Sequence, residues 1–110
     1  MTEDVKSHLR SSSNVVVGKG TVAGRALQKH STRTGSWFEG KAFAGDHAKN
    51  AESARRIIAD LLERGGTSEG SHPTFGAVIK IRFTNGAGAW WKKTGEFIGF
   101  LEPYTPRAST

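Results

Sequence analysis

At 110 residues the chain has room for one domain with a modest core, burying roughly two thirds of its unfolded surface. It has no cysteine, which excludes disulfides and thiolate metal sites. Its four histidines, His8, His30, His47 and His72, are too scattered for a local ligand pair, so neither metal nor other cofactor is expected. The net charge of +6 suits an acidic ligand, nucleic acid above all.

The first residues, MTEDVKSHLRSSSN, are polar and hold no apolar segment of the kind that marks a secretory signal. No run anywhere approaches the roughly 20 apolar residues that span a bilayer. A cytoplasmic location, in a bacterial host cell or a virion, is the expectation, without a membrane partner. Residues 1–13 are expected to be a flexible arm, 14–103 a single domain and 104–110, with Pro106, a flexible tail.

NVVVGKGTVAGR, residues 14–25, resembles the entry to a phosphate-binding loop. Placing Gly18-Lys19 on G-x-x-x-x-G-K-[ST] asks for glycine at 13 and a hydroxyl at 20, where the chain has Ser13 and Gly20. The residues that follow, TVAGRALQKH, lean towards a strand, whereas such a loop must feed a helix N-terminus. The glycines therefore predict a bent strand, not a nucleotide site. As a strand, 19–30 puts Lys19, Arg25 and Lys29 on one face. A second strand is expected in GSWFEGKAFAG, after a hairpin connection at STRT.

The clearest element is a helix over residues 47–64, where Ala51, Ala54, Ile57, Ile58, Leu61 and Leu62 form one apolar stripe. Asp46 is its natural N-cap and Gly65-Gly66 its stop. Glu52 with Arg56, and Asp60 with Arg64, have the spacing of helical ion pairs.

Beyond it, GTSEGS is expected to be a loop, and FGAVIKIRFT, GAWWKK and EFIGFL to be strands joined at Asn85-Gly86 and Thr94-Gly95. The predicted fold is α+β: an antiparallel sheet of about five strands, in the order β-β-α-β-β-β, packed on one main helix. A two-residue Asn-Gly loop sets Ile81 opposite Trp90 on an apolar face with Ile79 and Phe83. The reverse face then carries Lys80, Arg82, Trp91 and Lys93, an aromatic among cations of the kind that stacks bases. Carrying the register onward brings Ile98 and Phe100 beside Trp91, which favours a core position for that ring.

No residue stands out as catalytic. The acidic residues lie mostly on the helix's polar face, Glu39 suits an ion pair, and His30 and His47 occupy element ends, where histidines usually cap or face solvent. The chain is therefore expected to be a non-catalytic binder of nucleic acid, with DNA favoured over RNA. Lys19, Arg25, Lys29, Arg33 and Lys41 would contact phosphates, seconded by Lys80 and Arg82. The alternative is a protein-interaction module of bacterial or phage type, meeting an acidic protein surface or a second copy of itself through Trp90, Trp91 and Phe100.

Overall fold

A computed structural model describes residues 1–32, 36–41 and 46–103. The chain runs through helix α1 (Glu3–Ser13), a small hairpin β1 (Val16–Val17) and β2 (Gly20–Thr21), helix α2 (Val22–Ser31), and helix α3 (His47–Arg64). It ends in a four-stranded antiparallel meander, β3 (Gly66–His72), β4 (Gly76–Arg82), β5 (Gly88–Lys92) and β6 (Phe97–Leu101). The fold is α+β, with the helices on one face of the main sheet. No described helix is long and apolar enough to cross a membrane.

Helix α3 follows from its sequence. Asp46 accepts a hydrogen bond from the Lys49 amide at the N-terminus, and Gly65 closes the C-terminus on the Leu61 carbonyl. Ala54, Ile58, Leu61 and Leu62 are buried, and the Glu52–Arg56 pair forms on the solvent side at 3.0 Å. The N-terminal end of the chain lies differently from expectation. Residues 3–13 form α1, capped by Thr2, where an arm was predicted. Buried Leu9 of this polar helix enters the core. The Trp91 indole N–H donates to the Leu9 carbonyl at 3.1 Å and to Ser13 Oγ at 2.9 Å, and His8 Nε2 lies 3.2 Å from the Thr94 carbonyl oxygen. The tail at 104–110 lies outside the described residues.

The predicted strand over 19–30 is instead α2. Thr21 caps it by accepting from the Gly24 amide at 3.0 Å, and this local bond outweighs the β-branched start. Gly24 has a packing role: a Cβ there would sit 2.9 Å from the Ala51 backbone nitrogen, so glycine lets α2 and α3 approach closely. A helix does follow Gly18-Lys19, but those two residues form the turn of the antiparallel β1–β2 hairpin (Val17 pairs with Gly20). Of the second predicted strand, residues 36–41 form turns with Glu39 N donating to Ser36 O and Lys41 N to Phe38 O, while 35 and 42–45 lie outside the described residues.

In the sheet, GTSEGS belongs to edge strand β3, whose residues pair with β4 from Gly66 opposite Arg82 to His72 opposite Gly76. Its side chains are nearly all exposed, so no apolar alternation announces it. The β4–β5 register also differs by one from the prediction: Ile81 faces Ala89, and Lys80 faces Trp90. The loop has three residues, Thr84–Gly86, closed by Phe83 N to Ala87 O, with Gly86 at φ 93° and Asn85 Oδ1 accepting from the Ala87 amide. One residue of slip exchanges the faces. Trp91, with Ile79 and Ile81, joins the core beside Phe100, while Trp90 shares the outer face with Lys80 and Arg82.

Candidate active site

Helix α2 carries Arg25 and Lys29 four residues apart, one turn above the other, which presents both cations on a single exposed stripe. Beside them is a cleft of about 540 Å³ between α2 and the edge strand β6, lined by Val22, Arg25, Lys29, His30, Ile98 and Gly99. A second depression of about 400 Å³ lies on the other flank of the same two cations, with Gln28, Thr32 and His47. A Cβ at Gly20 would lie 3.6–3.7 Å from His47 and 3.9 Å from the Arg25 stem, so both side chains flank the small hairpin at this glycine.

The wall of the larger cleft includes His30, whose imidazole pairs with a carboxylate. His30 Nδ1 lies 2.7 Å from Glu102 Oε2. Glu102 also accepts from Ser36 Oγ at 2.6 Å and from the Trp37 amide at 3.1 Å. Burial raises the Glu102 pKa, but these hydrogen bonds and the His30 charge outweigh it and leave the carboxyl below its usual value. An ionised carboxylate can only accept, so His30 carries its proton on Nδ1 and the ring's basic lone pair on Nε2. Phe38 and Phe100 meet the imidazole edge-on, with centroids at 5.4 and 6.3 Å, and fix the ring plane. A carboxylate-oriented imidazole next to two cations has the parts for moving a proton beside a phosphodiester.

The predicted site residues divide clearly. Arg25 and Lys29 come together at the cleft, whereas Lys19 is exposed in the β1–β2 turn and Arg33 lies outside the described residues. Lys41 sits over the Trp37 ring at 4.4 Å. Lys80 stands 5.7 Å from the Trp90 ring on the outer face of the sheet. Arg82 donates to the carbonyls of Gly86 and Glu102, tying a hairpin loop to the end of β6. Of the expected partner-binding aromatics, Trp91 and Phe100 are buried in the core and only Trp90 reaches the surface. Sequence reasoning set His30 aside and missed Glu102. The partners are 72 residues apart, and only a local spacing would have flagged them. Among the described residues, no cluster of three or more histidine and carboxylate side chains has the form of a metal site.

Comparison with known proteins overturns the expected function. No curated protein sequence matches the chain. One solved structure, the toxic C-terminal tip of CdiA from Pseudomonas aeruginosa in complex with its immune protein, is 22% identical, covering 83% of this chain and 98% of that one with a TM-score of 0.66. At that identity the likeness establishes the fold. A family model described as the CdiA C-terminal tRNase toxin domain matches residues 9–102. A nuclease family whose namesake substrate is RNA replaces the non-catalytic, DNA-binding reading, and a neighbour solved with a protein partner lies nearer the interaction-module alternative. With most of its length inside that match, the chain belongs to the family of CdiA C-terminal tRNase toxin domains.

Proposed function

We propose that this chain is a ribonuclease that cleaves tRNA, with its chemistry in the cleft between α2 and β6. The observation that carries the reading is the His30–Glu102 pair placed beside Arg25 and Lys29. His30 Nε2 takes the proton of a ribose 2′-hydroxyl as that oxygen attacks the adjacent phosphorus. The bond to the 5′-oxygen then breaks, and that oxygen takes a proton from water as it leaves. The hydroxide so formed recovers the proton held on His30, and the products are a 2′,3′-cyclic phosphate and a 5′-hydroxyl. Arg25 and Lys29 hold the phosphate and offset the charge that builds on its oxygens. Glu102 keeps the imidazole in the productive tautomer and orientation. The need for a 2′-hydroxyl makes RNA, and not DNA, the substrate.

The test is incubation of the purified protein with tRNA and with single-stranded DNA, followed by analysis of the product ends. Cleaved tRNA with cyclic phosphate ends, and intact DNA, is the expected result. His30→Gln is expected to lower the rate about 10²- to 10⁴-fold without loss of folded circular dichroism. Intact tRNA with the wild-type protein, or a His30→Gln variant as fast as wild type, would refute the assignment.

A protein partner belongs to the same proposal, because the structural neighbour was solved with an immune protein. The +6 chain and the Arg25–Lys29 stripe suit an acidic partner that covers the cleft and blocks RNA.

A further inference from the structure

On the face of the main sheet away from the helices lies a cluster of rings outside the main hydrophobic core. His72 at the end of β3, Phe75 in the β3–β4 turn and Trp90 on β5 contact one another, with centroid distances of 4.9 Å for His72–Phe75, 5.3 Å for His72–Trp90 and 5.5 Å for Phe75–Trp90. None of the three belongs to the main hydrophobic cluster between the sheet and the helices, and on their own face of the sheet Val78 of β4 is buried to the same degree as that cluster. All are half-buried. The His72 ring is pinned, since its Nδ1 accepts from the amides of Thr74 and Phe75 at 3.0 and 3.4 Å; the ring proton is therefore on Nε2.

Cations stand over this cluster. Lys80 Nζ is 5.7 Å from the Trp90 ring, and Lys92 Nζ is 5.9 Å from Phe75 while pairing with Glu96 at 3.3 Å. The cluster also runs on into the cleft. Trp90 pairs with Gly99 across β5 and β6, and a Cβ at Gly99 would lie 3.7 Å from the indole nitrogen. Gly99 also lines the cleft that holds His30, Arg25 and Lys29. The glycine keeps the edge strand low between the two surfaces.

We infer that the Trp90–Phe75–His72 face binds unpaired bases of the RNA strand whose phosphate is held in the cleft, so that the domain reads single-stranded loops. The inference rests on the ribonuclease reading. Aromatic rings stack bases, lysines above them neutralise the backbone, and continuity over Gly99 gives one strand access to both surfaces. A rigid helical stem offers no base faces to the rings, whereas a splayed loop does.

The test uses the His30→Gln protein, slowed so that little RNA is cut during a binding measurement, and two probes of equal length: a single-stranded uridine oligomer and its abasic counterpart. Adding Trp90→Ala is expected to weaken uridine-oligomer binding about tenfold and to leave abasic binding unchanged, with Trp90→Phe restoring most of the loss. No loss on the uridine oligomer, or an equal loss on both probes, would overturn the inference. Failure of the wild-type protein to cut tRNA would remove the nuclease reading separately, because the binding comparison does not depend on cleavage.

Discussion

Trp90 and Trp91 are neighbours in sequence and opposites in use. Trp91 is fully buried, its indole N–H shared between the Leu9 carbonyl and Ser13 Oγ, and through it the sheet holds the N-terminal helix. Trp90 lies outside the main hydrophobic cluster, among lysines and rings on the open side. A strand's twofold alternation separates the two roles by one residue. One side of the sheet therefore carries stability and the other is available to a ligand, so changes on the two sides should differ in kind as well as in size.

The sharpest break should come from Trp91→Ala. Removing a buried indole and the donor it supplies to the Leu9 carbonyl and Ser13 Oγ is expected to cost about 3–5 kcal/mol, read as a lower denaturant midpoint. A cost below that of Trp90→Ala would dissolve the contrast. Gly24→Ala comes next on the helical side: with the new Cβ at 2.9–3.0 Å from the Ala51 backbone, α2 and α3 must separate, at about 1–3 kcal/mol by thermal unfolding.

The smallest stability effect belongs to the cleft. Glu102→Gln is expected to cost about 1 kcal/mol or less, since solvent screens the half-exposed carboxylate. The folded pKa of Glu102 is depressed, so the stabilisation is present above the unfolded value, about 4.3, and disappears as pH falls through the folded one. Wild type and variant should therefore converge on acidification. Their RNA cleavage should differ far more than their stability at neutral pH, and a variant that keeps full activity would break the link between Glu102 and His30.

How much of this was legible follows the locality of each signal. Helix α3 announces itself through Asp46, its apolar stripe and Gly65, all within one short window. The three apolar strands were legible, but their register hung on whether the loop at Asn85-Gly86 had two residues or three, and that depends on the hydrogen bond between Phe83 and Ala87. Helix α2 was hidden by Val22 and Gly24, because Gly24 serves a contact with α3 that appears only in three dimensions. Helix α1 and β3 bury almost nothing, so composition marks neither as ordered; their partners, Trp91 and β4, do the ordering. In the candidate site, Arg25 and Lys29 stood out by charge, since a spacing of four keeps them on one face in either a strand or a helix. Glu102 carried no such mark.

The reach from His30 to Glu102 has a further meaning for assembly. The contact joins α2 to the residue just beyond the last strand, closing one of the longest loops in the chain. Contacts of that span are entropically expensive and pay back only when the intervening chain is already in place. Ser36 and Trp37 converge on the same carboxylate, so a fragment ending before β6 would leave three donors without their acceptor. On the proposed ribonuclease reading, activity would therefore report completed folding: a molecule with α3 formed and β6 undocked would look largely ordered to circular dichroism and would leave RNA intact.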